Sequence, residues 1–384
     1  MKKISVLLLA SALTASFLFA QTDSKIVRSE FTKVADYLYE VTYSDYDINF
    51  LNVKNEGVIS YAGEFAEYGC SAIRHGNYLG RNLDLFYGEH CEVIVKVPAK
   101  DGRYASIGTL CGMKTMTDKY LAKGKIDKNL EAVVPLIVCD GINEKGLVVE
   151  VNVVPAADIG FTTGTNPSKP VLNMPCVART LLDNAATAKE AVKIMQNRNI
   201  CNPWDVTGLV GGGMEYHWMI ADAKDTFVVE IINNRLTVTK TDISTNYYVG
   251  LKNRTEHSMG IERAEILKEN AGIADSTETM AKLMSKVYFS KVNDVNAEKF
   301  CYSDHFGITA KDGTTVTYSN REKYKEDLLE AGRKDAEGTA RMFKTKVNDN
   351  GYWITMHTIV FDIPNKKYNI SVHEDEKNWY TYGF

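Results

Sequence analysis

The sequence predicts an α+β fold of antiparallel sheets and separate helical blocks, and three observations predict it. Short segments with period-two apolar alternation recur along the chain, joined mostly by tight turns. Helical patterns come in blocks between these strand clusters instead of alternating with single strands, which argues against a doubly wound parallel sheet. Aromatic residues make up 10 %, led by 21 tyrosines, a composition that favours strands over a helical bundle. No internal repeat is present and no linker follows residue 70, so the 384 residues predict one large domain behind an N-terminal lead-in.

Residues 1–20 predict a secretory signal: Lys2 and Lys3 form a basic start, and residues 4–20 are uncharged and mostly apolar, with cleavage expected after Ala20. The run is too short and wrongly flanked for a membrane span. Residues 21–69 are polar and tyrosine-rich; an irregular pro-segment is expected there, with an amphipathic helix over residues 29–39. From Cys70, CSAIRHGNYLGRNLD predicts two strands around a turn at His75-Gly76-Asn77, and HCEVIVKVPA a half-buried strand. LEAVVPLIVCDGINEKGLVVEVNVV predicts an apolar strand, a turn at residues 143–146 and a second apolar strand. CVARTLLDNAATAKEAVKIMQ predicts the clearest helix, with Asp183 or Thr187 as caps. HWMIADAKDTFVVEIINNRLTVTKT predicts three strands, ERAEILKENA and STETMAKLMSKVYF two helices, and YWITMHTIVFDIPNKKYNISVHE a closing strand pair around Pro364-Asn365.

Composition narrows the functional classes. A formal net charge of −4 with no long Lys/Arg run predicts neither a nucleic-acid partner nor an anionic-membrane footprint. An exported chain permits disulfides, but its seven cysteines are odd in number, so at least one thiol is left over. Without a C-x-x-C or a tight Cys/His cluster, structural zinc is not expected, and most of the thiols read as small buried hydrophobes. Dinucleotide, P-loop, H-E-x-x-H and G-x-S-x-G signatures are absent. Gly211-Gly212-Gly213 has no lysine behind it and reads as a surface loop.

What remains is Gly69-Cys70-Ser71-Ala72 followed by Gly80-Arg81-Asn82-Leu83-Asp84. Further on come DGINEKGLVVEVN (140–152), HWMIADAKDTFVVE (217–230), STNYY with Asn246, ERAEIL with Arg263, and HTIVFDIPNKKY. Six such pieces in this order resemble the choloylglycine hydrolase superfamily of N-terminal-nucleophile hydrolases, which includes bile-salt hydrolases, penicillin V acylases, acid ceramidase and N-acylethanolamine acid amidase. The resemblance runs from about residue 60 to 375. It implies a four-layer αββα sandwich, a domain over residues 70–384, and a catalytic set of Cys70, Arg81, Asp84, Asn152, Asn246 and Arg263. It also implies self-cleavage at Gly69–Cys70, no metal or organic cofactor, and a small-molecule N-acyl amide substrate. The pro-segment fragment is expected to stay bound in some forms, and oligomers are compatible with the pattern. The short spacings from Cys70 to Arg81 and from Asn246 to Arg263 resemble the acid ceramidase and acyltransferase branches more than the bile-salt branch.

The chemistry follows from the residue types. An amide carbonyl needs a nucleophile, a proton acceptor and donors for the developing oxyanion. Cleavage before Cys70 would give it an α-amine whose ordinary pKa of roughly 7.7–8.0 suits general-base work near neutrality. Asp84 is then expected to hold the new ammonium, Arg81 to stabilise the thiolate, and Asn246 with the Asn152 backbone N–H to bind the oxyanion, with Arg263 tying them together. His217 reads as a strand residue instead of the base of a Cys/His pair, and Asp140 and Glu230 as structural. Acyl transfer to an amine and a non-enzymatic binding role stay open beside hydrolysis, as do bile salts, fatty-acyl amides, N-acyl amino acids and penicillin V as acyl donors.

Overall fold

The computed structural model describes residues 26–50, 68–86, 91–110, 121–124, 126, 128–154, 163, 166–201, 215–251, 260–288, 307–309, 315–317 and 353–384. The expected leader, Gly211 to Gly213, Cys111 and Cys301 lie outside the described residues. In chain order the first strands are β1 (Val27–Arg28), β2 (Thr32–Ala35), β3 (Leu38–Asp45), β4 (Tyr68–His75), β5 (Tyr78–Phe86), β6 (Glu92–Val97) and β7 (Ser106–Leu110). Helix α1 (Lys128–Val133), strands β8 (Asp140–Asn143), β9 (Val148–Val154) and β10 (Val171–Asn173), and helices α2 (Val177–Asn184) and α3 (Ala188–Gln196) follow. Next are β11 (Asn199–Cys201), β12 (Glu215–Ala221), β13 (Thr226–Ile232), β14 (Arg235–Lys240), β15 (Ile243–Ser244), α4 (Ile261–Asn270) and α5 (Thr277–Ser285). The chain closes with β16 (Gly307–Thr309), β17 (Thr315–Thr317), β18 (Trp353–Asp362), β19 (Lys367–Val372) and β20 (Tyr380–Gly383).

Two large sheets carry the fold. The first has ten strands in the order β1-β3-β6-β7-β8-β9-β12-β13-β14, with β2 on β3; the second has six, β15-β4-β5-β18-β19-β20. All pairs in both sheets are antiparallel except β3 with β6. Strand alternation explains the layering. On β6, Val93, Val95 and Val97 face a core shared with α2 and α3, while Ile94 faces the second sheet. On β4 and β18, Ala72, Ile359 and Phe361 face the first sheet, while Ile73 and Val360 face α4 and α5. The result is helix, sheet, sheet, helix: the α+β four-layer sandwich of mainly antiparallel sheets that the resemblance implies. Among the described residues no helix is long and apolar enough to cross a membrane.

Three local expectations are corrected. Residues 29–39 form no helix: β2 and β3 make a hairpin whose turn holds Tyr37 at φ 61. Tyr39, Val41 and Tyr43 alternate into the core, a two-residue period that helical packing does not use. The expected strand through LEAVV is helix α1, whose Leu, Glu and Ala favour the helix and which stops short of Pro135. The expected long helix is two. Asn143 Nδ2 donates to the carbonyls of Leu182 and Ala185, catching the end of α2, and Thr187 Oγ1 accepts from the Glu190 N–H to cap α3. Asp183 is no cap; it is buried and accepts from the Tyr46 hydroxyl.

The lead-in is also more than an appendage. β3 lies inside the ten-stranded sheet, between β1 and the parallel β6, and Leu38, Tyr39 and Tyr43 are fully buried.

Candidate active site

The site sits where the two sheets face each other, and the hairpin β4–β5 builds it. Cys70 pairs with Leu83, Gly69 with Asp84 and Ala72 with Arg81. Alternation then sends Arg81 towards the first sheet and Asp84 towards the helix layer. Gly80 belongs to this design: a Cβ there would meet Met284 Cγ at 2.5 Å and Met280 Sδ at 2.7 Å, so a glycine lets α5 lie close against β5.

Cys70 is fully buried and is held at three atoms. Its backbone N–H donates to Asn246 Oδ1 at 2.8 Å, its carbonyl accepts from Arg263 Nη1 at 2.6 Å, and Arg81 Nη2 stands 3.9 Å from its sulfur. Arg263, on α4, reaches Asp84 Oδ2 at 3.0 Å and Asn246 Oδ1 at 2.7 Å as well. Asp84 Oδ1 accepts from Thr355 Oγ1 at 2.6 Å, so both oxygens are engaged. Asn246 Nδ2 donates to the Val153 carbonyl at 2.6 Å. With the Gly69–Cys70 peptide bond intact, the Cys70 nitrogen is an amide donor. Burial pushes the Cys70 thiol up to about 12; Arg81 opposes this, Asp84 and Glu150 add to it, and the Val153 N–H on the sulfur opposes it. Burial likewise pushes the Asp84 carboxyl up, against Arg263 and Thr355.

Five of the six residues singled out in the sequence thus come together: Arg81, Asn246 and Arg263 on Cys70 itself, and Asp84 through Arg263. The sixth, Asn152, is placed differently: its Nδ2 donates to Ser244 Oγ at 2.6 Å and Glu150 Oε1 at 3.2 Å, and the backbone N–H at the thiol is that of Val153, one residue on. His217 stands apart from Cys70. Its Nε2 lies 2.7 Å from the Thr245 carbonyl and its Nδ1 3.1 Å from Glu230 Oε1. Glu230 in turn accepts from the N–H groups of Val249 and Gly250. This pair fixes the segment that presents Asn246.

Sequence reasoning missed a polar layer behind Arg81. Glu92, Asp140 and Glu150 from the first sheet and His357 from β18 are all fully buried there. Arg81 Nε lies 3.3 Å from Asp140 Oδ2 and 3.7 Å from Glu150 Oε2. His357 reaches this layer because β18 bulges between Thr355 and His357. In a regular strand those residues share a face; the extra Met356 sends Thr355 to Asp84 and His357 to Asp140. A polar Thr and His within ITMHTIVFD was the available signal. Burial would raise Asp140, yet Arg81 and His357 hold it below the usual carboxylate range. Burial pushes Glu150 up to about 8 against Arg81.

A cavity opens beside the thiol, lined by Cys70, Leu83, Ile137, Val151, Val153, Met174 and Tyr216 among others. None of its described lining side chains carries a carboxylate, lysine or arginine. Cys139 lines it too; Cys91 and Cys176 are buried, as small hydrophobes should be.

Glu150 gives a pH prediction. An acid whose pKa is higher folded than unfolded loses stability as pH rises from its ordinary value to its folded one, here from roughly 4.5 to about 8. The Glu150→Gln variant keeps an acceptor for Asn152 and is expected to flatten the fall in melting temperature between pH 5 and 8. Parallel melting curves for the two proteins would contradict it.

The site thus sits on a hairpin between two facing sheets flanked by outer helices, the four-layer arrangement that the resemblance implies. The chain belongs to the choloylglycine hydrolase family of linear amide C–N hydrolases, whose family model matches residues 70–267. Similar solved structures include a mutant conjugated bile acid hydrolase from Clostridium perfringens, at 14 % identity and a TM-score of 0.44, covering 82 % of this chain and 92 % of that one. Penicillin V acylase from Agrobacterium tumefaciens is similar at 16 % identity and a TM-score of 0.34, covering 84 % and 80 %. Among curated proteins none matches the chain.

Proposed function

We propose that the chain is an exported, self-processed cysteine hydrolase that cleaves N-acyl amides through a thioester on Cys70. The observation that supports this reading best is the convergence on one residue: the Cys70 sulfur meets Arg81 and the Val153 N–H, its carbonyl meets Arg263, and its nitrogen meets Asn246. In the intact chain the Cys70 nitrogen cannot take a proton and the thiol stays protonated, which leaves the precursor inactive towards other amides. Attack of the Cys70 sulfur on the Gly69 carbonyl breaks the peptide bond, transfers the acyl group to sulfur and frees the amine. Water then releases residues 21–69 as a carboxylate.

In the processed site the α-amine takes the thiol proton and the thiolate attacks the substrate carbonyl. The oxyanion falls to the Val153 N–H, which already meets the sulfur, and to Asn246 Nδ2, which reaches the carbonyl of the same residue. The α-ammonium returns its proton to the leaving amine, and water hydrolyses the thioester to a carboxylic acid. The apolar lining beside Cys70 suits the acyl portion of such a substrate.

Processing is testable directly. Intact-mass measurement of purified full-length protein is expected to show a chain beginning at Cys70. The fragment ending at Gly69 is expected to copurify until denaturation, since β3 is buried in the first sheet. An active protein with Gly69 still joined to Cys70 would overturn the α-amine mechanism.

A further inference from the structure

Arg81 is the cation nearest the nucleophile, yet its guanidinium also faces Asp140, and an arginine neutralised by a buried carboxylate has little field left for a thiolate. The structure places a histidine ring on the other side of Asp140. His357 Nδ1 lies 2.9 Å from Glu92 Oε2 and its Nε2 lies 2.9 Å from Asp140 Oδ2, so a carboxylate stands at each ring nitrogen. Arg81 Nη1 is 2.9 Å from the same Nε2, and Asp140 Oδ2 is therefore shared between ring and guanidinium. Asp140 Oδ1 accepts from Tyr368, whose hydroxyl also meets Thr109. Cys139 Sγ, Asp140 and His357 place donor atoms within 4.8 Å of one another, but Arg81 already stands against Asp140 and His357 as the cation there.

We propose that His357, clamped between Glu92 and Asp140, is a positioning residue that balances Asp140 so that the charge of Arg81 remains directed at the Cys70 sulfur. The proposal rests on the reading of Cys70 as the nucleophile. The groups facing His357 are Glu92 from β6, Asp140 from β8 and Arg81 from β5, with Tyr368 from β19, Cys139, and Glu150 from β9 just behind them. Burial and the Arg81 guanidinium 2.9 Å from Nε2 oppose a charge on the ring, but the carboxylates of Glu92 and Asp140, one at each ring nitrogen, outweigh them and raise its pKa to about 9. Near neutrality the ring then stands beside Arg81 as a second positive charge against Asp140, whose carboxyl is held below the usual range, while burial raises Glu150 to about 8. Losing the imidazolium leaves one uncompensated negative charge behind Arg81, which makes the thiol harder to ionise. Losing Glu92 leaves one positive charge and does the reverse.

The test uses the processed full-length protein and iodoacetamide, which needs no knowledge of the substrate. The rate of Cys70 alkylation is followed by peptide mass from pH 5 to 10 for the parent, His357→Gln and Glu92→Gln, with melting curves in parallel. His357→Gln is expected to raise the alkylation midpoint by about one pH unit, or about tenfold in rate at pH values below it; Glu92→Gln is expected to lower it. Packing damage alone would move both variants the same way. An unchanged profile in His357→Gln, an unchanged or raised midpoint in Glu92→Gln, or a parent Cys70 that does not react overturns the proposal. If His357→Gln does not fold, the sign of the Glu92→Gln shift decides. If the variants show these shifts but the parent hydrolyses none of an acyl 4-nitroanilide, penicillin V and a glycine-conjugated bile salt, the hydrolase reading is contradicted and this one is left standing.

Discussion

Cys70→Ser is expected to reduce amide hydrolysis to background while the protein still folds. The substitution keeps the side-chain length and the backbone contacts to Asn246 and Arg263. It replaces a thiol by a hydroxyl that is far harder to ionise, in a buried position where Arg81 is the nearest cation. Removing the nucleophile from a comparable covalent mechanism costs about 10⁶ in turnover. Slow self-cleavage is expected to survive, because attack on the adjacent Gly69 carbonyl has the advantage of a high effective molarity. Turnover and intact mass, measured on the same preparation, separate the two steps. Substitution of Cys91 or Cys176, both buried away from the polar residues of the site, is expected to alter melting temperature and leave turnover in place. Full activity in Cys70→Ser would remove the thiol from the mechanism.

Arg263→Ala is expected to carry the largest stability cost of the site residues. Its guanidinium is buried and bonds Asp84, Asn246 and the Cys70 carbonyl at once. Breaking a buried pair by removing one partner costs about 3–5 kcal/mol, because the other charge is left without compensation. Asp84 lessens this by taking up a proton, for which burial already prepares it. A urea titration is expected to show a midpoint well below that of the parent, with turnover lost in whatever fraction stays folded. Arg263→Lys keeps the charge without the fork and is expected to fall between the two. A loss under about 1 kcal/mol would mean that Arg263 holds nothing together.

The difference between what was legible in the sequence and what was not has a physical basis. The hairpin of Cys70, Arg81 and Asp84 was legible because its information is local: period-two alternation on both arms and a tight turn holding Gly76 at φ 57. Arg263 and Asn246 came from the resemblance, and the structure joins them through a bond that no spacing rule predicts. Asn152 shows the limit of reading a strand by residue type. Alternation gives the faces of β9, but which backbone N–H reaches the thiol depends on how β9 sits against Cys70, and that is Val153. Glu92, His357 and Thr355 stood out only as polar residues within apolar strands, and their roles were not legible for a related reason. Their partners lie far away in sequence, and the bulge at Met356 that separates Thr355 from His357 has no glycine or proline to announce it. Residues 29–39, which hold β2 and the start of β3, were misread as helical because the neighbour that fixes β3 as a strand, β6, pairs with it across 54 residues (Leu38 with Glu92), and that pairing is the one parallel contact described in its sheet.

Hydrolysis through Cys70 requires a covalent acyl group on its sulfur, and one measurement reaches that group directly. The processed protein is mixed with an acyl 4-nitroanilide, with penicillin V, or with a glycine-conjugated bile salt, quenched in acid within the first turnovers, and peptide-mapped by mass. With whichever amide is hydrolysed, the account predicts that the peptide starting at Cys70 gains the mass of that acyl group, that hydroxylamine removes it, and that no other peptide carries it. Hydrolysis with Cys70 unmodified throughout, or with the acyl group on another side chain, would contradict it.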